Sequence, residues 1–188
     1  MSVLNILFVG SDEVARSIAK KSDSRDVDNY IYKDLKEEGL FSTISILRPN
    51  NYPDKPKPFF TSLTVSDFGI IEVNKVDGVF GEVVVSMASA GIKEGLVILN
   101  ASEGEWVDDS QVKALLQQAG LSNWEFIEND GVLIREKLIK DLNQIKSNND
   151  DGFVVAVDQS FTVKGVGLVA IGHVQSGKVN KHDELILA

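Results

Sequence analysis

Gly10, Ala15, Arg16 and Ser17 stand at the spacing of a phosphate-binding loop. The segment VGSDEVARS, residues 9–17, follows the apolar run LNILFV and opens a helix-like stretch. Set against the pattern G-x-x-x-x-G-K-[ST], it keeps the first glycine, Gly10, and the hydroxyl that would reach Mg²⁺, Ser17. Alanine stands for the second glycine and arginine for the lysine. Such a loop holds an anion because backbone N–H groups and a helix N-terminus converge on it, and its glycines let the backbone come close. A Cβ at residue 15 obstructs that approach. Arg16 keeps the charge, but on a larger planar fork. Asp12 and Glu13 add carboxylates, either of which, about 4 Å from a phosphate oxygen, would cost roughly 1–4 kcal/mol. Either could instead pair with Arg16 and take the anion's place. The frame predicts a degenerate phosphate loop; the plain alternative is that Arg16 and Ser17 are ordinary helix-surface residues.

The elements that must position this loop alternate along the chain. VLNILFV (3–9) predicts a buried strand, too short for a helix, and EVARSIAKK a short helix. FSTISIL (41–47) alternates in part at period two. NNYPDKPKP (50–58) holds three of the four prolines and predicts a loop. SLTVSDFGIIEV (62–73) is rich in β-branched residues and predicts a strand. GEVVVSMASA (81–90) predicts a helix, with a strand in AGIKEGLVILN after it. DDSQVKALLQQAG combines an Asp cap region, Val112, Leu115 and Leu116 at helical spacing, and a closing Gly120. WEFIE predicts a short strand, and Leu138, Leu142 and Ile145 mark a helix over 132–146. Strands alternating with helices predict a parallel sheet covered on both faces.

Composition narrows the classes. The 188 residues carry a formal charge of −9, of which 16 Lys+Arg and 24 Asp+Glu fall in residues 1–150, and 3 and 4 in residues 151–188. An acidic surface argues against DNA and against nonspecific nucleic-acid binding, which needs clustered cations, but leaves room for a local basic patch. With no cysteine and only His173 and His182, neither disulfides nor a thiolate or His-rich metal site is expected. The N-terminus lacks a charged leader, and no apolar run approaches about 20 residues. The expectation is a cytoplasmic protein without a membrane role.

After residue 146 the composition changes. SNNDDG is polar, and the remainder holds Gly152, Gly165, Gly167, Gly172 and Gly177 among β-branched residues, an all-β signature. The expected organisation is an α/β domain at 1–146, a linker at 147–151 and a β segment at 152–188. The β segment, FTVKGVGLVAIGHVQSGKVNKHDEL (161–185), resembles the domain-two barrel of the elongation factor Tu superfamily. The resemblance rests on Phe161, Val163, Gly165, Gly167, Val169, Gly172, Val174, Gly177, Val179, Asp183 and Leu185, with His182 standing where glycine is usual. A barrel of that kind needs further strands. The segment is therefore expected to belong to a longer protein, or to complete itself through a second copy or the preceding domain, since open edges and an uncovered face from Val169, Ile171, Val174, Val179, Leu185 and Leu187 invite association.

The resemblance implies a P-loop-GTPase-like domain for residues 1–146, in the flavour of the selenocysteine-specific elongation factors. It places Thr64 of LTVSDFG as a switch threonine on a strand. VDGVF (76–80) falls where D-x-P-G-H belongs, so Val76 replaces a metal-side Asp and Phe80 a water-positioning His. It further places LVILNASEG (96–104) as a strand ending in a D-A-x-x-G turn, and Asp130 of FIEND as the surviving guanine acceptor. The plain readings remain open: Thr64 as a strand residue, Asp130 as a turn residue, Phe80 as core. The implied function is a translation elongation factor-like protein with a degenerate, non-hydrolysing GTPase domain. Its nucleotide-site remnants would be Gly10, Arg16, Ser17, Thr64 and Asp130, with no catalytic residue and neither GTP nor Mg²⁺ expected. Its partner would be aminoacyl-tRNA, a ribosomal site or another protein. A slow functional GTPase and a pure protein adaptor are the alternatives.

Overall fold

The computed structural model describes residues 2–35, 41–101, 106–144, 153–177, 179–180 and 182–186. The chain forms two compact units, residues 1–142 and 143–188. The first is a sheet of strands β1 (Ser2–Val9), β2 (Lys20–Ser24), β3 (Val27–Leu35), β4 (Phe41–Pro49), β5 (Phe68–Val73), β6 (Gly95–Leu99) and β7 (Glu125–Ile127). Helices α1 (Asp12–Ile18), α2 (Pro56–Leu63), α3 (Gly78–Ser89), α4 (Asp109–Gln118) and α5 (Gly131–Gln144) connect them. The sheet order is β2-β3-β4-β1-β5-β6-β7. β4, β1, β5, β6 and β7 run parallel, and β2 and β3 join antiparallel at one edge.

Both faces are covered, which explains the unbroken apolar strands. Leu4, Ile6 and Phe8 of β1 pack with Val14, Ala15 and Ile18 of α1 and with Ile134, Leu138 and Leu142 of α5. Leu7, Ile71 and Val73 face α2, α3 and α4 through Phe59, Phe80, Val83, Met87, Val112 and Leu116. On this second face Trp124 lies across two glycines, Gly69 and Gly95, which are paired on neighbouring strands.

Three sequence expectations need correction. The proline-rich segment is a loop only to Lys55, and α2 begins at Pro56. Proline is well placed in a first helical turn, where its missing N–H leaves nothing unpaired. The strand expected over 62–73 begins at Phe68, because Ser62 and Leu63 close α2 and Thr64 caps its C-terminal end. The β2–β3 hairpin has no counterpart in the sequence reading, which carries the helix EVARSIAKK through Lys21; α1 ends at Ile18, and β2 (KKSDS) carries no apolar residue to announce it. The linker expected at 147–151 lies outside the described residues.

The second unit is a hairpin of β8 (Val154–Val163) and β9 (Gly167–Ser176). Gly167 holds φ at +103° just after the turn, and a Cβ at Gly172 would run into the carbonyl of Ala156. Its apolar side chains, including Phe161, Leu168, Ile171, Val174, Val179 and Leu185, are exposed; Leu187 lies outside the described residues. A hairpin alone is marginal. His182, at the position where the resembling family has glycine, sits at φ +77°, a conformation that costs a side-chain-bearing residue about 1 kcal/mol or more. His182→Gly is therefore expected to slow amide exchange across Asn180–Asp183 and to leave the α/β unit's melt unchanged. Faster exchange would show that the imidazole holds this turn.

Candidate functional site

In an open parallel sheet the ligand-binding edge lies beyond the carboxyl ends of the strands. Here that edge is built from Gly10 and Ser11 after β1, Asn50 after β4, Asn74 after β5, Asn100 after β6 and Glu128 after β7. The connection from β1 to α1 is only Gly10 and Ser11. Ser11 caps the helix, its side chain accepting from the Val14 N–H at 3.3 Å. No wide loop intervenes, so Ala15 does not line an anion cradle as its place in the motif predicts. Its side chain is in the core.

The space in front of Ser11 belongs to Glu72, the one carboxylate in the otherwise apolar strand FGIIEV. The Ser11 N–H donates to Glu72 Oε2 at 2.5 Å, and Asn100 Nδ2 donates to Oε1 at 2.6 Å. Glu72 is 8% exposed. A Cβ at Gly10 would come within 2.6 Å of the same carboxylate, so Gly10 is required by Glu72. A carboxylate with a backbone donor and an amide donor is a satisfied buried anion.

Beside it lies a charged network tying the hairpin to the β1–α1 turn. Asp28, 3% exposed, meets Lys21 Nζ at 2.8 Å and Arg48 Nη1 at 3.2 Å. Ser24 Oγ donates to it at 2.6 Å. Arg48 Nε donates to the Gly10 carbonyl at 2.7 Å, and its Nη1 to Asn50 at 2.8 Å. Burial alone would raise the Asp28 pKa, but hydrogen bonds from Lys21, Ser24 and Asn50 outweigh it and bring it down to about 2. Asp12 accepts from Tyr30, Arg16 and Lys21, which hold its carboxyl well below the usual range. Burial, then the bond to Asp12, pushes the Tyr30 phenol up to about 12.

The residues expected at the site fare unequally. Gly10 and Asp130 lie at the carboxyl edge, while Arg16 and Ser17 are in the last turn of α1, Ser17 against Gly131 beside Asp130. Arg16 pairs with Asp12 one turn earlier. Ser17 Oγ donates to the Val14 carbonyl at 2.8 Å. Asp130 caps α5, accepting from Val132 N–H at 2.7 Å and Leu133 N–H at 3.2 Å. Thr64 is at the opposite end: it precedes β5, whose neighbour Asp67 bonds Asn5 early in β1, and its hydroxyl donates to Thr61 O. It cannot share a site with Gly10. Val76 and Phe80 pack in the second core face, and Asp77 caps α3. Sequence reasoning missed Glu72, Asp28 and Arg48. Only Glu72 carried a signal, a lone acid inside a buried strand.

A second feature is a cleft of about 410 Å³ between α1, the β2–β3 hairpin and α5. Of the ten residues lining it, Arg16, Lys20, Lys21, Lys33 and Arg135 are basic and none is acidic. Arg135 lies over the Tyr32 ring, 4.9 Å from its centroid. Among the described residues there is no cluster of three or more potential metal ligands and no helix long and apolar enough to cross a membrane.

With this geometry in view, the likenesses to known proteins are informative. No family model matches the chain. It is 32% identical over 180 residues to an uncharacterized protein of Methanocaldococcus jannaschii, covering 95% of this chain and 54% of that one. The chain thus spans about half the length of this relative. Among solved structures, a bacterial selenocysteine-specific elongation factor EF-Sec superposes with a TM-score of 0.64 at 18% identity, over 96% of this chain and 36% of its own. The translation elongation factor SelB of Methanococcus maripaludis, in complex with the GTP analogue GPPNHP, gives 0.58 at 18% identity, over 94% of this chain and 43% of its own. The fold, a mostly parallel α/β unit followed by an antiparallel β unit, is that of selenocysteine-type translation elongation factors over the part covered.

Proposed function

We propose that the chain is a translation elongation factor-like protein whose α/β unit neither binds GTP in the ordinary way nor hydrolyses it, and that it engages an RNA of translation, aminoacyl-tRNA or ribosomal, without a nucleotide switch. The observation that carries this reading is the Ser11 N–H donating to the buried Glu72 carboxylate. A phosphate approaching that N–H would displace a satisfied carboxylate or lie against its charge. Arg16, the cation of the loop frame, is engaged by Asp12. Phosphoryl transfer depends on positioned charge and a held metal ion, and where the resembling family has polar residues this chain has Phe80 in the core and Val76 half-buried against it.

Titration calorimetry with GDP and with GTP, each with Mg²⁺, is expected to show no binding up to about 1 mM, about −4 kcal/mol on the affinity scale. Phosphate release is expected at the background rate. A dissociation constant in the micromolar range or below, or turnover lost in Arg16→Ala, would establish the slow GTPase instead.

A further inference from the structure

We infer that the basic cleft between α1, the β2–β3 hairpin and α5 is an RNA-backbone site, the surface through which this protein holds its RNA; the inference rests on the RNA partner proposed above. The first ground is charge. In a chain of formal charge −9, five cations and no carboxylate line one concave surface. Such segregation is the footprint of a polyanion partner, because phosphate neutralisation needs cations together in space, whatever the net charge.

The second ground is how these cations are held. Lys21 is anchored by Asp28 and Asp12, and Arg16 by Asp12. Their charges are partly spent, and they form a fixed wall. Lys20 and Lys33 are exposed, and among the described residues no side-chain hydrogen bond or ion pair holds their ammonium groups. Lys20 lies opposite Ile31 in the hairpin, and Lys33 is two residues further along that strand. The two lysines therefore share one face of the sheet as diagonal neighbours, about 7–8 Å apart, a spacing suited to successive phosphates. Tyr32, like Tyr30 opposite Lys21, faces the α5 side of the sheet, so the cleft wraps the sheet edge with Lys20 and Lys33 on one wall and Arg135, 4.9 Å from the Tyr32 ring centroid, bringing its N–H donors to the other. An arginine held over an aromatic ring suits a partner with both phosphates and bases. An acidic polypeptide offers carboxylates but no planar rings at regular spacing.

The test uses the whole chain and fluorescein-labelled unfractionated tRNA, read by anisotropy at several KCl concentrations. Lys20→Ala with Lys33→Ala is expected to weaken binding at least about tenfold near 0.1 M salt and to reduce the log–log salt slope by about two. Both lysines are exposed, so the melts of variant and parent should coincide. Lys55→Ala with Lys57→Ala, the same charge change at the start of α2, should leave binding unchanged. If tRNA binds the parent and the cleft variant equally, the cleft is the wrong surface while the RNA-binding reading stands. An equal loss in both variants would reduce the effect to net charge and overturn the site. If the parent does not bind tRNA at all, the RNA-binding reading itself falls, and the site with it. Displacement of bound tRNA by polyglutamate at equal charge would assign the cleft to acidic polypeptides instead.

Discussion

Replacing Asp28 by alanine is expected to destabilise the α/β unit by about 3–5 kcal/mol, the range seen when one partner of a buried ion pair is removed. The deletion leaves Lys21 and Arg48 facing each other without the carboxylate between them. It also leaves Ser24 Oγ without its acceptor. Because Arg48 also holds the Gly10 carbonyl, the β1–α1 turn should loosen, and the Ser11 amide should exchange faster than in the parent. The pH dependence has a definite sign. The Asp28 pKa is depressed to about 2 in the folded state, from an ordinary value of 3.8. Its contribution is thus fully present above about pH 4 and is lost as pH falls from about 4 to about 2, amounting to roughly 2 kcal/mol. Urea melts of parent and variant should therefore converge partly across that window. A cost below about 1 kcal/mol at pH 7 would put this network on a par with exposed surface pairs and refute its structural role.

Gly95→Ala should cost about 3 kcal/mol. A Cβ at residue 95 would lie 2.6 Å from the Gly69 carbonyl and 2.6 Å from the Trp124 ring. The carbonyl belongs to the ladder between β5 and β6 and cannot retreat without breaking pairing. Overpacking of this kind costs about 1–3 kcal/mol, and more where backbone must move. The entropy lost by the unfolded chain returns less than about 1 kcal/mol. Gly69→Ala separates the two causes, since its Cβ meets the far atoms of the Trp124 indole and Met87 rather than backbone. In a Trp124→Phe background Gly69→Ala should become nearly neutral while Gly95→Ala stays costly. Thermal melts followed by circular dichroism read both. Equal relief of the two would show that the ring, not the backbone contact, sets the cost.

Those glycines also show what was legible in the sequence and what was not. β1, α1, α3, β6, α4, β7 and α5 follow from apolar spacing and caps, because burial on both sheet faces writes itself into composition. The hairpin residues Gly165, Gly167, Gly172 and Gly177 were legible as a pattern because backbone geometry requires them. α2 was hidden by Pro56 and Pro58, whose loop signal inverts in a first helical turn. β2 was hidden because an edge strand with polar side chains has no periodicity to display. The site was the least legible part. Glu72, Asn100, Ser11, Arg48 and Asp28 come from three strands and two turns, and nothing local in any of them declares the others. The basic cleft is also tertiary: Arg16 and Arg135 come to the same sheet edge as Lys20, Lys21 and Lys33 only after α1 and α5 have packed on the sheet.

The Ser11–Glu72 contact bears on how such a protein can be controlled. A GTPase acts as a timer because its loop holds a group that can be cleaved and exchanged, so the same chain alternates between two shapes. A carboxylate that belongs to the chain has no clock: it is neither hydrolysed nor released, and no exchange factor can act on it. Under the proposed reading, whatever this edge of the sheet contributes is contributed continuously from the moment of folding. Control would then have to come from outside the site, through how much protein is made, how long it lasts and how many partner molecules are within reach.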